Sequence, residues 1–397
     1  MYKSKSIAVV VPCFNEQSQI ARVLETIPAF VDRIIVVDDC STDGTLEVVR
    51  RFIAQQSDAE RVVFLVHEVN LGVGRSIADG YKEAVRQEID VTAVMAGDGQ
   101  MDPDELPLLV EPVATGRADY AKGNRLFHHT AWQNIPRHRY LGNAVLSMLT
   151  KVASGYWHSV DSQCGYTAIS LLALQLIDLD GLYPRYGYPN DMLVNLNLYD
   201  MRVTDVPIRP IYNIGEQSKM RLRRVAPALA WMIFRRFLWR LGRKHVIHDF
   251  HPLVLFYASG SVVLSAGTLF GGYLLWHRLT AGPVAPTSAM FCAFLLMTGI
   301  QLLLFGMWFD MQNNRELRVV SRPPVRRKRT ADAGSDTFMN IAADFTGEPL
   351  NDSFNEPPVT LPLVRDAVQQ ESNPALLRIG EAARRRGGQA TAEAASR

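Results

Sequence analysis

The order of apolar and polar positions divides the chain into two regions with different periods. In the first, short apolar runs rich in β-branched residues alternate with helix-length stretches. Residues 7–11, 33–37, 62–66 and 91–95 read as strands, and residues 17–27, 45–56 and 73–87 as the helices between them. Near-continuous apolar strands joined by helical crossovers predict a parallel sheet covered on both faces, an α/β fold. In the second region, two stretches carry no charge at all. Pro252–Trp276 and Ser288–Phe309 are 25 and 22 residues long, and about 20 apolar residues cross a bilayer core.

Between these regions, Val225–Leu241 interleaves Trp, Phe, Met and Leu with arginines. This pattern predicts a helix lying in the membrane interface. Nine Lys or Arg fall between residues 219 and 244, and seven between 315 and 329, whereas His277–Thr287 holds only Arg278. By the positive-inside rule both flanks face the cytoplasm, and the spans form a hairpin in the inner membrane with both termini inside. The expected division is a catalytic domain over 1–218, a basic interfacial region over 219–250, spans over 251–277 and 287–310, and a mostly disordered tail over 318–397 with a short helix near 374–386.

Composition adds little on average, because its signs separate along the chain. Residues 1–218 hold 19 Lys and Arg against 27 Asp and Glu, and the remainder holds 23 against 13. The four cysteines form no CxxC pair, which fits a reducing compartment and no disulfide framework. The apolar run after Ser6 is too short for a signal-peptide core. No feature points to nucleic acid. Small residues in both spans permit helix association and self-association.

Ligands of such sheets bind beyond the carboxyl ends of the strands. Three of these ends are polar or acidic: Pro12-Cys13-Phe14-Asn15-Glu16, Asp38 through Thr45, and Ala96 through Pro103. Carboxylates repel a nucleotide diphosphate unless a divalent cation lies between them, and Mg²⁺ or Mn²⁺ binds through one or two carboxylates plus phosphate oxygens. Asp39 has a second role open, accepting a hydrogen bond from the base. Each end also has a plain structural reading, as a helix cap or a Gly-Asp-Gly turn. A dinucleotide site is the rival reading and fits poorly, since Gly72-Val73-Gly74 follows the third strand and Ile77 stands where a third glycine belongs.

PCFNE, VVDDCSTDGT, NLGVGRSIADG and the aspartate at the fourth strand end resemble family 2 glycosyltransferases with the GT-A fold. GNR at 123–125, VDSQCGY at 160–166 and the basic region before DFHPLVLFYASG are similar to the dolichyl-phosphate mannose synthase and bacterial polyprenyl-phosphate glycosyltransferase branch. The resemblance spans about residues 5–312. It implies that Pro12, Phe14, Asn15, Glu16 and Asp39 bind the nucleotide-sugar donor. It further implies that Asp98, with Gln100, holds the metal, that Arg125, Arg137 and Arg139 meet the acceptor phosphate, and that Lys219 reaches the donor diphosphate. The family's DxD pattern departs here, with Ala96 in place of the first aspartate.

The implied reaction is a single inverting displacement onto a polyprenyl phosphate, which needs no strong base because it is already anionic. A hydroxyl acceptor would need one, and Asp191 is the residue placed for that role. His128, His129 and His138 read as surface residues. Three rival readings have discriminating features. A processive polysaccharide synthase would carry QxxRW, which is absent here, and more spans. A catalytically weak membrane scaffold would follow from Ala96. A lipid hydroxyl, as in diacylglycerol or ceramide, would be separated by acceptor assays.

Overall fold

The computed structural model describes residues 1–56, 58–126, 137–209, 211, 222–248 and 250–319. Seven strands form one sheet: β1 (Ile7–Cys13), β2 (Arg33–Asp38), β3 (Val62–Val66), β4 (Val91–Val94), β5 (Tyr120–Asn124), β6 (Thr167–Ser170) and β7 (Val203–Pro207). Their spatial order is β3-β2-β1-β4-β6-β5-β7. The first four are mutually parallel, and β5 pairs parallel with β7.

The four strands read from the sequence are parallel as expected, while β6, which lies outside that reading, runs antiparallel to both β4 and β5. A parallel successor needs a connection that crosses the sheet and re-enters at the opposite edge. Here Lys122 near the end of β5 pairs with Thr167 at the start of β6, so residues 125–166 leave and return at one edge. The six other strands end at that edge. The described part of this insertion starts and finishes near the strand ends, where the sequence places the site, but reaches the opposite end of β7 in between, where the Tyr156 hydroxyl donates to the Met201 carbonyl and His158 meets the Val203 carbonyl.

Alternation along each strand divides the core into two layers. Ile7, Val9, Val11 and Val36 pack with α1 (Ile20–Thr26), α2 (Thr45–Gln55) and α4 (Leu106–Ala114). Ala8, Val10, Ile35 and Val37 pack with α3 (Val73–Arg86), α6 (Leu171–Leu176) and α7 (Tyr188–Leu198). Every residue of β1 is buried, which is why its sequence reads as a run and not as an alternation.

Helix α5 (Arg137–Ser154) precedes β6, and α8 (Leu222–Gly242) follows β7. Leu229, Met232 and Ile233 seat α8 against Ala153 of α5 and Val194 of α7. Trp231 and Phe234 on its other side are 61% and 49% exposed. A π-helical turn over Arg243–His248 links α8 to α9 (Leu253–Thr280), and α10 (Pro286–Asn313) returns beside it. Each is 28 residues, about 42 Å at 1.5 Å per residue, longer than the ~30 Å bilayer core. Only 17% of each apolar window is buried, so these are not core helices of a soluble domain. Gly299 meets the backbone of Leu264, and Gly267 meets Leu296, giving the close antiparallel contact that small residues allow.

After α10 the chain returns to the sheet. Arg318 forms a parallel bridge to Val203, Thr204 Oγ1 donates to the Val319 carbonyl at 3.0 Å, and Leu317 is buried in the second core layer. The expected tail helix near 374–386 lies outside the described residues.

Candidate active site

The loops after β1 and β2 are laced together by their own polar groups. Asp38 is fully buried, and its carboxylate accepts from the Ser41 amide at 2.9 Å and the Ser41 hydroxyl at 2.5 Å. Asn15 takes a positive φ of 55°. Its amide donates to Ser41 Oγ at 2.9 Å, and its side-chain oxygen accepts from the Thr42 amide at 2.8 Å. The Glu16 amide donates to Thr45 Oγ1, and the Gln17 amide to Asp43. The polar residues PCFNE and DDCSTDGT thus build one rim. Pro12, Phe14, Asn15 and Glu16 all lie on it.

Asp39 faces the turn after β3. Its Oδ1 accepts from the Leu71 amide at 2.8 Å and pairs with His67 Nδ1 at 2.9 Å, while Oδ2 accepts from the Gly72 amide at 2.8 Å. His67 Nε2 in turn lies 3.3 Å from Asp79. The Asp39 carboxylate therefore fixes the Leu71–Gly72 turn. His67 has no local signature in the sequence, because its partner lies 28 positions away.

Asp98 stands in the turn after β4, half-buried, accepting from the Gln100 amide at 3.1 Å. The Gly97 amide donates to the Pro12 carbonyl at 3.1 Å, and the Asp39 amide to the Cys13 carbonyl at 2.9 Å. These bonds bring the ends of β1, β2 and β4 side by side. Among the described residues no three His, Cys, Asp or Glu side chains converge as a metal cage. One carboxylate beside a polar rim fits an Mg²⁺ or Mn²⁺ ion that arrives with a diphosphate, the usual way Mg²⁺ is held. Ala96 supplies no ligand, so the donor set rests on Asp98, with Gln100 beside it.

The insertion above the strand ends is pinned by a second ion pair. Arg125 reaches Asp161 through Nε at 2.8 Å and a second guanidinium nitrogen at 3.0 Å. Buried Lys122 donates to the Asp161 carbonyl at 2.5 Å and lies 3.3 Å from Asp205. Burial raises the Asp161 carboxyl, but the Arg125 and Lys122 charges outweigh it and leave it below the ordinary range. Arg125 therefore sits at the site edge in a fixed fork geometry.

Asp191 is placed differently from the base role. It is fully buried near the start of α7, where Arg236 of α8 meets both carboxylate oxygens, at 2.5 and 2.8 Å, and the Tyr183 amide donates at 2.7 Å. Burial pushes its carboxyl above the ordinary range, against the pull of Arg236. A carboxylate so enclosed holds structure and does not face a substrate hydroxyl. The side chains of Arg137 and Arg139, and all of Lys219, His128 and His129, lie outside the described residues, as does the side chain of His138.

The family model of glycosyl transferase family 2 matches residues 8–174, from β1 through the strand-end loops to α6. An uncharacterised glycosyltransferase of Mycobacterium tuberculosis is 30% identical over 216 residues, covering 54% of this chain and 89% of that protein. The chain belongs to glycosyl transferase family 2. The UDP-N-acetylglucosamine–dolichyl-phosphate N-acetylglucosaminyltransferase of Methanococcus voltae is 28% identical over 244 residues, 59% of this chain and 95% of the relative. The undecaprenyl-phosphate mannosyltransferase of Micrococcus luteus is 27% identical over 220 residues, 54% of this chain and 87% of that one. A crystal structure of glucosyl-3-phosphoglycerate synthase from Mycobacterium tuberculosis, with Mn²⁺ and UDP, aligns at 19% identity and TM-score 0.44, covering 60% of this chain and 81% of that one. The mixed α/β domain thus carries the family 2 glycosyltransferase match, and it is followed by two helices long and apolar enough to span a membrane.

Proposed function

We propose that this family 2 glycosyltransferase moves a sugar from a nucleotide-sugar to a polyprenyl phosphate at the cytoplasmic face of a membrane, with inversion at the anomeric carbon. The observation that carries the reading is the junction of Asp98 with the β1 and β2 rim, beneath an insertion pinned by Arg125 and Asp161. This one edge thus offers a carboxylate for a cation and a guanidinium for a phosphate. The two dolichyl- and undecaprenyl-phosphate relatives support the acceptor class. The return of the chain to β7 after α10 supports a hairpin with both flanks on the catalytic side, and the arginine flanks support the cytoplasm as that side.

Asp98 and Gln100 would hold Mg²⁺ or Mn²⁺ against the donor diphosphate. The ion, when bound, neutralises the charge developing on the leaving group. The rim loops bind and orient the nucleotide, and the Asp39-fixed turn forms the wall beside them. Arg125 orients the acceptor phosphate, with Arg137 and Arg139 as further cations in the same insertion. The acceptor oxygen is already anionic near neutral pH, so no residue is required as its base. Lys219 serves the diphosphate from the segment entering α8. Trp231 and Phe234 rest in lipid headgroups, so α8 lies along the membrane surface.

The test is turnover in membranes with polyprenyl phosphate, a panel of nucleotide-sugars and Mg²⁺ or Mn²⁺. Metal-dependent formation of a lipid-linked sugar is the expected result. Product on diacylglycerol or ceramide instead would replace the acceptor, and no product from folded protein with any donor would favour a scaffold.

A further inference from the structure

Arg236 and Arg240 stand one helical turn apart on α8, so both leave the same face. Their carboxylate partners differ, although Arg240 also donates to Asn197 and to the Val152 carbonyl. Arg240 reaches Asp310 at the end of α10, and Arg236 reaches into the catalytic domain. Besides its two contacts to Asp191, Arg236 donates to the Gly181 carbonyl at 2.6 Å. Asp191 holds the Tyr183 amide at 2.7 Å. One guanidinium therefore fixes Gly181 directly and Tyr183 through one carboxylate.

The segment so fixed is the backing of the glycine turn after β3. The Pro184 carbonyl accepts from the Arg75 amide at 3.1 Å. A Cβ on Gly72 would lie 2.5 Å from the Pro184 oxygen, and one on Gly74 would lie 2.2 Å from the Tyr183 oxygen. Backbone meets backbone there with no side chain between to absorb a shift. Gly72 and the neighbouring Leu71 are the two amides that hold Asp39. On the outer side of the same seam, Asp180 is paired with Arg75 at 2.9 Å and Lys82 at 2.5 Å.

We propose that Arg236 is a positioning residue for the nucleoside diphosphate of the donor, setting the Asp39 turn from the helix that rests on the membrane. The proposal rests on the donor-site reading of Asp39 given above. Arg236 touches no substrate. It acts by seating residues 181–184, and through them Gly72, so that the pocket wall is formed when α8 is docked. Interface, guanidinium, loop and turn are then joined by direct contacts, from the exposed Arg236–Gly181 bond through the part-buried Arg236–Asp191 pair to the buried Gly72–Asp39 bond.

The test uses the full chain in nanodiscs, with binding of UDP and GDP in the presence of Mn²⁺ measured by calorimetry. Arg236→Gln is expected to weaken the bound nucleotide about tenfold, within the range of such indirect couplings. Donor KM rises in parallel, while acceptor KM and kcat stay close to wild type. Arg240→Gln, which removes a still more deeply buried, ion-paired arginine from the same face, is the control and should leave nucleotide affinity within twofold. Arg236→Lys keeps the charge but lacks the fork, so it should weaken binding by an intermediate amount. It decides the matter if Arg236→Gln does not fold. Equal losses in the Arg236 and Arg240 variants, or unchanged nucleotide affinity in a folded Arg236 variant, would overturn the proposal. A wild-type protein that binds neither nucleotide would instead remove the donor-site reading itself.

Discussion

Arg240 of α8 and Asp310 of α10 form a two-pronged ion pair at 3.0 and 2.9 Å with neither side chain exposed. Around it Asn197 of α7 accepts from Arg240 at 3.1 Å, and Lys244 donates to the Asn197 carbonyl at 2.7 Å. Asn314 donates to the Asp310 carbonyl at 2.7 Å. Gly155 is required at the end of α5, with a φ of 76° and space for a Cβ only 2.3 Å from Arg240. Five segments thus share one polar knot between the catalytic sheet and the apolar hairpin.

Removing one partner of this pair leaves a buried charge unmatched. Arg240→Met or Asp310→Leu alone should destabilise the protein by about 3–5 kcal/mol, and the double variant should recover much of that loss. Thermal unfolding in detergent checks it. Additive losses in the double variant would mean that the two charges do not depend on each other.

The knot also predicts a pH dependence. His245 lies 3.8 Å from Asp310, and burial together with the Arg240 charge depresses it from the usual 6.5 to about 4. The folded state therefore disfavours its protonation, while the unfolded chain takes the proton near pH 6.5. Stability is full above that value and declines as pH falls towards 4, by at most about 3 kcal/mol and nearer 1–2 after solvent screening. His245→Gln should flatten unfolding curves measured between pH 7 and 4. An unchanged slope in the variant would assign the acid lability elsewhere.

Asp98 is expected to dominate turnover. Asp98→Ala should lower kcat on the order of 100- to 1,000-fold, with the fold retained, because the carboxylate sits in a half-exposed turn. Chelation should abolish wild-type activity and added Mn²⁺ or Mg²⁺ restore it. Full activity in the presence of chelator would dismiss the metal.

At Gly74 a single methyl group should be felt. Gly74→Ala places a carbon against the Tyr183 carbonyl and should cost roughly 1–3 kcal/mol. It should also weaken nucleotide binding, as the turn behind Asp39 is pushed away. Calorimetry and thermal unfolding together test this, and a neutral outcome in both would show that residues 183–184 yield easily.

Much of the fold could be read from local pattern. The runs IAVVV and RIIVV are almost wholly buried, VVFLV forms the partly exposed edge strand, and the polar ends after β1, β2 and β4 gave the site edge directly. Strand β6 could not be read, because TAIS is four residues long and its direction is decided by Lys122 and Val94 across the sheet. Asp191 could not be assigned either. Its neighbours Tyr-Pro-Asn suggest a helix start, while its environment is made by Arg236, 45 positions away. The Asp39–His67 and Arg240–Asp310 pairs fall to the same limit, since contacts spanning 28 and 70 positions leave no period in the chain.

The bridge between Val203 and Arg318 sets an order of events during synthesis. Strand β7 is complete long before Arg318 leaves the ribosome, and both apolar helices must be made first. Until then the outer edge of β7 carries unpaired amides and carbonyls, a surface that invites wrong partners. The last stitch of the sheet is therefore available only to a chain whose hairpin has already been placed. Completion of the α/β sheet is in this way tied to synthesis of the helical hairpin that precedes its closing strand contact.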